Sequence, residues 1–328
     1  MYMSETGNIE ELAKQVSNDL FKWFKWKTCA LKDTDWKCVI DNHKKRTHPA
    51  DVVFYYNDPY SGNVIYINTD LKSYKKGSIS STSISNALRS LSISVECANL
   101  SEDWQNKYLV NDIRFDCVIG MLFIYNHDDE FDKDLFEVVD SIDFEKINVP
   151  ENVKLLLLDP QKIRTLLNVV TDMKGLVADN LLPRSEYTFF YPDLVMAKRH
   201  GEEWSQPASI EALTSPWLII KHQPTTDIEE GFVIYYHKRG DTVDEFVYLI
   251  DAMSHYQMLL SNKPIRVRFT SPGGNAANNF NKAKLEYLKM WGADEARETQ
   301  LNRIDAKRIS KVVSNYCPME IGMRDHAE

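Results

Sequence analysis

The chain has 328 residues, of which 43% are hydrophobic and 27% are charged, a composition ordinary for a globular protein with a sizeable core. This length exceeds the usual size of one domain, so we expect two. The formal net charge of −9 excludes a general basic surface for nucleic acid, so any such contact must depend on local clusters of positive charge.

The cysteines and histidines show no familiar ligand spacing. The chain has five cysteines, an odd number without a Cys-x-x-Cys pair, and eight histidines. We therefore expect neither a disulfide framework nor a structural zinc site, and we expect most thiols to be small buried groups in a reducing compartment. The N-terminal segment lacks a basic region followed by an apolar core, and no stretch is long enough to span a bilayer. These features predict a cytoplasmic protein without a membrane partner.

The first half of the chain alternates helical and strand-like patterns. The predicted elements are a helix at 8–26, a strand at 36–40, a hairpin of 51–56 and 64–72, a helix at 82–99, a strand at 113–125, a helix at 131–142, a strand at 153–158 and a helix at 160–177. Asn8 is the expected N-cap of the first helix, with Glu11 at the capping-box position. This alternation predicts an α/β domain with a mixed sheet over residues 1–183.

The second half, residues 184–328, is predicted to form another α/β domain. Its expected elements are strands at 187–191, 217–221, 232–236 and 265–270, and helices beginning at 242 and covering 278–291. The Ser-Pro-Gly-Gly-Asn segment at 271–275 precedes the last helix but lacks a P-loop lysine, so it predicts a tight turn rather than a phosphate-binding loop.

Three charged residues on the predicted hairpin are the main candidates for chemistry. Asp51 begins the first strand, and Asp70 and Lys72 lie on the second. Because side chains alternate between the two faces of a strand, Asp70 and Lys72 project on the same side, where Asp51 can meet them. Two carboxylates and an ammonium group at one sheet edge suit phosphodiester cleavage with a bound metal ion. A solvated pair of charges at a strand edge is the alternative interpretation.

In this order of elements, the first half of the chain resembles the PD-(D/E)XK, or restriction-endonuclease-like, nuclease superfamily. The resemblance implies a mixed β-sheet core flanked by helices. It also implies that Asp51 and Asp70 bind Mg²⁺, with Mn²⁺ as the alternative, together with the backbone carbonyl of Leu71. Lys72 would orient the attacking water and offset charge on the phosphate. The family's Pro-Asp pair is interrupted here, since Ala50 separates the proline from Asp51.

The family also implies further residues around the metal. A glutamate on the first helix often contributes, and Glu11 is the candidate, with Glu10 as the alternate; Glu11 could instead cap its own helix. The residues expected to bind nucleic acid are Lys44, Lys45, Arg46, His48, Lys75, Lys76 and Arg89, with Ser73, Tyr74 and Asn86 as further candidates for phosphate or base contacts. The alternative for the basic cluster is ordinary solvated surface charge.

Taken together, these features predict a Mg²⁺-dependent endonuclease that acts on DNA. The resemblance extends to restriction-type enzymes and to the nuclease subunits of two-gene anti-phage defence modules. It therefore implies a homo- or hetero-oligomer and a second protein subunit from the same module. The second domain would serve partner binding, dimerisation or DNA positioning. The alternatives are a non-catalytic nucleic-acid-binding or assembly protein on a degenerate nuclease fold, and an unrelated α/β scaffold in which the three charges meet by accident.

Overall fold

The structure is a computed structural model that describes residues 5–110, 115–133, 135–147, 149–192, 194, 203–260, 263–292 and 295–311. These residues form two compact units that divide between Leu166 and Leu167. Each unit contains a mixed five-stranded sheet accompanied by helices. The predicted mixed α/β class is confirmed, whereas the predicted boundary after residue 183 stays a prediction.

The first unit follows the predicted order of elements. It contains α1 (Glu5–Trp23), β1 (Lys27–Lys37), β2 (Thr47–Asn57), β3 (Val64–Tyr74), α2 (Ser81–Ala98), α3 (Glu102–Tyr108), β4 (Phe115–Asn126), α4 (Leu135–Asp140), α5 (Phe144–Ile147), β5 (Leu155–Leu158) and the start of α6 (Pro160–Ala178). The strands lie in the order β1-β2-β3-β4-β5. The pairs β1–β2 and β2–β3 are antiparallel, and β3–β4 and β4–β5 are parallel.

Two local predictions at the start of the chain are wrong. Asn8 lies inside α1, which is already helical at Glu5, so it is not the N-cap. The strand predicted at 36–40 is the end of β1, which starts at Lys27. The register of β1 against β2 shifts between Thr28 and Lys32, and this irregularity breaks the alternation from which a strand is recognised.

The hairpin between β2 and β3 is fixed by its turn. The Asp58 carboxylate accepts hydrogen bonds from the N–H groups of Tyr60 at 3.1 Å and Ser61 at 2.7 Å. Gly62 has a φ of 70°, a conformation that glycine adopts without a steric penalty. The resulting register pairs Asn57 with Val64 and continues to the pair of Val52 and Thr69.

Helices cover both faces of this sheet. On one face, Tyr56 of β2 stacks on Trp26 with 5.3 Å between ring centroids, and Trp26 stacks on Phe21 of α1 at 4.3 Å. On the other face, Tyr66 of β3 meets Trp104 of α3 edge-on at 5.8 Å. The strand that carries Asp70 and Lys72 is therefore held between two packed layers.

The parallel half of the sheet approaches α2 closely. A Cβ atom at Gly120 of β4 would lie 2.6 Å from Leu155 Cδ2 and 2.8 Å from Val95 Cγ2, well inside van der Waals contact. A glycine is therefore required where α2 and β5 close on β4.

The second unit contains the predicted strands and helices, with additions. It consists of the rest of α6, β6 (Tyr187–Phe189), α7 (Ile210–Thr214), β7 (Trp217–His222), β8 (Gly231–Tyr236), α8 (Val243–His255), β9 (Ile265–Phe269), α9 (Ala276–Trp291), α10 (Glu295–Asn302) and β10 (Asp305–Arg308), with strand order β10-β9-β8-β7-β6. As predicted, Thr242 caps α8 by accepting the Glu245 N–H at 3.3 Å.

Among the described residues, no helix is both long and apolar enough to cross a membrane.

Candidate active site

Asp51 and Asp70 lie opposite each other where the ladder between β2 and β3 ends. The last recorded pair is Val52 with Thr69, and continuing the antiparallel register places Asp51 across from Asp70. Beyond that pair the Leu71 N–H donates to Asp51 Oδ2 at 2.8 Å, so a carboxylate takes the position of a backbone acceptor. This hydrogen bond fixes the Asp51 side chain against the segment that contains Asp70.

Lys72 pairs with Asp70 and lies within electrostatic reach of Asp51. Its Nζ lies 2.6 Å from Asp70 Oδ1, and the side chains of Lys72 and Asp70 are only 33% and 19% exposed. The two residues therefore project on the same side of β3, as the alternation along a strand predicts. The structure thus brings Asp51, Asp70 and Lys72 together at one end of a central strand.

The surroundings of Asp51 disfavour its negative charge. Desolvation by burial raises the pKa of Asp51 to about 6. Within this net value, the charges of Asp70 and Asp33 also act to raise the pKa, whereas the Leu71 N–H and Lys72 act to lower it. A bound cation would stabilise the ionised form of a partly desolvated carboxylate that faces a second carboxylate.

Lys72 is the resident cation of this cluster. Burial alone would lower the pKa of its ammonium group, but the charges of Asp70 and Asp51 and the hydrogen bond to Asp70 outweigh burial and raise it. Lys72 therefore carries its positive charge at neutral pH.

The ligand types available here suit a hard divalent cation. Asp51 and Asp70 offer carboxylate oxygens, and Leu71, the residue between Asp70 and Lys72, offers a backbone carbonyl. Mg²⁺ and Mn²⁺ prefer oxygen donors and need only one or two protein carboxylates, because water completes the coordination. The residues present therefore fit the metal implied by the sequence.

Helix α1 brings another charged group to the site that the sequence did not single out. Lys14 Nζ lies 2.7 Å from Asp33 Oδ2 and 3.7 Å from Glu11 Oε2. Burial would lower the pKa of Lys14, but Asp33, Glu11 and Asp51 together raise it, so Lys14 lies within electrostatic reach of the candidate ligand Asp51. The i,i+3 spacing from Glu11 is a signal by which Lys14 could have been found.

Three further acidic residues bear on the site, of which only Glu11 and Glu10 were candidates from the sequence. Asp33 has a φ of 47° within β1 and no sequence pattern marks it. Glu11 does not cap its helix, because α1 already includes Glu5, and its role as a metal ligand stays a prediction. The side chain of the alternate, Glu10, lies outside the described part of the structure.

Most residues predicted to bind nucleic acid are accessible. The exposed ones are Lys44, Lys45, Arg46, Lys75, Arg89 and Asn86. Lys45 Nζ donates to Ser90 Oγ of α2 at 3.4 Å, which places the basic loop (residues 38–46, between β1 and β2) against that helix. Lys76 is half-buried and pairs with Asp132 at 2.9 Å. Their contacts with nucleic acid stay predictions.

His48 does not fit the predicted role. Its side chain is 0% exposed, and its ring lies 4.9 Å from that of Trp36 and 5.4 Å from that of His43, measured between centroids. A buried imidazole cannot contact a nucleic acid bound at the surface, so this prediction is wrong. Of the further candidates, Ser73 Oγ lies 3.1 Å from His127 Nδ1, and Tyr74 is half-buried.

Comparison with known families places this site in context. Residues 1–162 match the family model described as GAPS4 protein PD-(D/E)XK nuclease domain. The match begins with α1, ends within α6 and includes Asp51, Asp70 and Lys72. No curated protein matches the chain.

Proposed function

We propose that this chain, whose residues 1–162 belong to the PD-(D/E)XK nuclease superfamily, is a Mg²⁺-dependent endonuclease that hydrolyses phosphodiester bonds in DNA. The observation that carries the proposal is the meeting of Asp51, Asp70 and Lys72 beside the last pair of the β2–β3 ladder. A solvated strand edge would leave these groups apart and exposed. Here all three are partly buried, Lys72 pairs with Asp70, and Asp51 accepts the Leu71 N–H between them.

Each residue has a role that follows from its surroundings. Asp51 and Asp70 would hold the metal ion, which when bound polarises the phosphoryl oxygen and acidifies a water ligand. Asp51 is kept in place by the Leu71 N–H, so the ligand is oriented before substrate arrives. Lys72 would turn from Asp70 towards the phosphate, where its positive charge offsets the charge that develops in the transition state.

The exposed basic residues around the site support DNA as the substrate. Lys44, Lys45 and Arg46 on the basic loop are exposed, as is Arg89 on α2, where Lys45 contacts Ser90. Their charge supplies a local positive surface on a chain whose net charge is −9.

The proposal extends to a biological role. We assign the chain to anti-phage defence, acting as the nuclease subunit of a two-gene module with a second protein subunit, as a homo- or hetero-oligomer. The support is its resemblance to such subunits, in which one nuclease domain is joined to a second α/β unit. That second unit would serve partner binding, dimerisation or DNA positioning.

Plasmid cleavage tests the catalytic assignment. Supercoiled plasmid is incubated with Mg²⁺ and with wild-type protein, Asp70→Ala or Lys72→Ala. Asp35→Ala and Lys32→Ala serve as matched controls, because both residues are exposed on β1. We expect Asp70→Ala and Lys72→Ala to cut at least about a hundredfold more slowly, the usual cost of removing one electrostatic stabiliser, and the controls to cut normally. Undiminished cleavage by either site variant would refute the assignment.

Metal substitution separates cleavage from binding. Ca²⁺ is expected to support DNA binding without turnover, and rapid cleavage with Ca²⁺ alone would contradict the proposed geometry. If the wild-type protein binds DNA but cuts no DNA or RNA with Mg²⁺ or Mn²⁺, the non-catalytic alternative is correct.

A further inference from the structure

Four potential metal ligands converge beside the basic loop. Cys38 directly follows β1, His43 ends the 3-10 turn Asp41–His43, His48 lies in β2, and Cys97 lies in the last turn of α2. One ligand atom from each residue lies within 4.8 Å of the others. Two thiols and two imidazoles form a ligand set that structural zinc sites use.

Two distances within this cluster match those of a tetrahedral zinc site. With Zn–S bonds of about 2.3 Å and Zn–N bonds of about 2.05 Å, tetrahedral geometry requires about 3.8 Å between two sulfurs and about 3.6 Å between sulfur and nitrogen. Cys38 Sγ lies 3.8 Å from Cys97 Sγ and 3.5 Å from His43 Nδ1. A disulfide requires its sulfurs to be only about 2.05 Å apart, so both thiols are free.

His48 supplies an independent indication of a missing ligand. It is fully buried, and within the described part of the chain neither ring nitrogen has a hydrogen-bond partner. A buried polar group without a partner costs free energy that a metal bond would offset.

The groups behind the ligands support the same assignment. Glu96 Oε2 lies 2.9 Å from His43 Nε2, the ring nitrogen that faces away from Cys38. A carboxylate in this position fixes the ring and the tautomer of a metal-bound histidine. The Val39 N–H donates to Cys97 Sγ at 3.2 Å, a contact that stabilises a thiolate.

We propose that Cys38, His43, His48 and Cys97 bind one Zn²⁺ ion, which fastens the basic loop to α2. Four protein ligands fill a tetrahedral shell and leave no position for water, so the role is structural. The ion would hold Lys44, Lys45 and Arg46 beside the hairpin that carries Asp51 and Asp70. This site stands whether or not the chain cuts DNA.

The proposed site runs against the expectation of no structural zinc that was drawn from cysteine spacing. Cys38, His43 and His48 are each five positions apart, and the fourth ligand comes from a helix far along the chain. No Cys-x-x-Cys pair is needed, because β1, the turn and β2 bring three ligands to Cys97.

Metal content tests the proposal on the full chain. The purified protein is analysed by mass spectrometry for bound zinc, and its Co²⁺-substituted form by visible absorption. We expect one zinc per chain and the intense bands of tetrahedral Co²⁺ with thiolate ligands. Cys38→Ser and Cys97→Ser should both lose the metal, whereas Cys117→Ser, a half-buried cysteine outside the cluster, should retain it. A chelator should lower the Tm of the wild-type protein but not that of Cys38→Ser.

Several results would overturn the site. One is wild-type protein that carries no zinc after refolding with excess Zn²⁺. Another is full zinc retention by both Cys38→Ser and Cys97→Ser. A third is a Cys38–Cys97 disulfide, found by non-reducing peptide mapping of protein purified under air with Zn²⁺ present.

Discussion

Replacing Asp51 with asparagine should remove catalysis and at the same time stabilise the fold. The folded protein raises the pKa of Asp51 from 3.8 to about 6, mainly by desolvation. The folded state thus binds this proton more tightly than the unfolded state, so stability is highest when the carboxyl is protonated and falls as pH rises through that window. Asparagine is neutral at every pH and can still accept the Leu71 N–H.

The size of the effect follows from the shift in pKa. A difference of about 2.2 units at about 1.36 kcal/mol each gives about 3 kcal/mol of destabilisation by the ionised Asp51 at pH 7.5, as an order of magnitude. At pH 4.5 the same relation gives a destabilisation of only about 1 kcal/mol, because Asp51 is then almost fully protonated in the folded protein. The advantage of Asp51→Asn should therefore shrink as the solution is acidified.

Urea unfolding at the two pH values, in buffer without Mg²⁺, measures both quantities. Asp35→Asn is the matched control, since Asp35 is exposed on β1 and its substitution should change stability little. Adding Mg²⁺ should stabilise the wild-type protein more than Asp51→Asn, because the metal neutralises the charge that the variant lacks. If Asp51→Asn is no more stable than the wild-type protein at pH 7.5, the desolvation of Asp51 has been misjudged and the reasoning fails.

Two further predictions concern packing and the basic loop. Gly120→Ala places a methyl group against Leu155 and Val95 and should lower the free energy of unfolding by about 1–3 kcal/mol in urea titrations, the usual cost of overpacking. Gly175→Ala, at a helical glycine with open space around its Cβ position, should instead be neutral or stabilising; equal losses in both variants would argue against the close approach of α2 to β4. The double variant Lys45→Gln and Arg46→Gln should weaken DNA binding and reduce the slope of log affinity against log salt by up to about two, without changing kcat at saturating DNA. A lower kcat with unchanged binding would place these side chains in catalysis rather than in DNA binding.

The hairpin could be predicted because its determinants are local. Asp58 and Gly62 set the turn, and the turn sets the register that places Asp51 opposite Asp70. The alternation of side chains along β3 then places Lys72 beside Asp70. No long-range information is needed for any of these steps, so sequence patterns were sufficient.

The parts that were missed depend on distant segments or on broken patterns. The register shift between Thr28 and Lys32 hides the length of β1, and no local pattern reveals the salt bridge of Asp33 with Lys14. His48 was a candidate for binding nucleic acid, but the fold buries it against Trp36. Cys97 reaches Cys38 only after α2 packs against the sheet, so no local spacing reveals the cluster.

The position of β3 has a consequence for how the site fluctuates. This strand pairs in parallel with β4 over its whole length and antiparallel with β2 from Val64 to Thr69. Beyond Thr69, the Leu71 N–H donates to Asp51 on the β2 side. Leu122 and Ile124, the residues of β4 opposite Asp70 and Lys72, are both 0% exposed. Backbone amides here should exchange with solvent deuterium only through openings that approach global unfolding. The strand that carries Asp70 and Lys72 is therefore not expected to fray open by itself. Under the proposed function, control over cleavage would then act on access to the site rather than on its assembly.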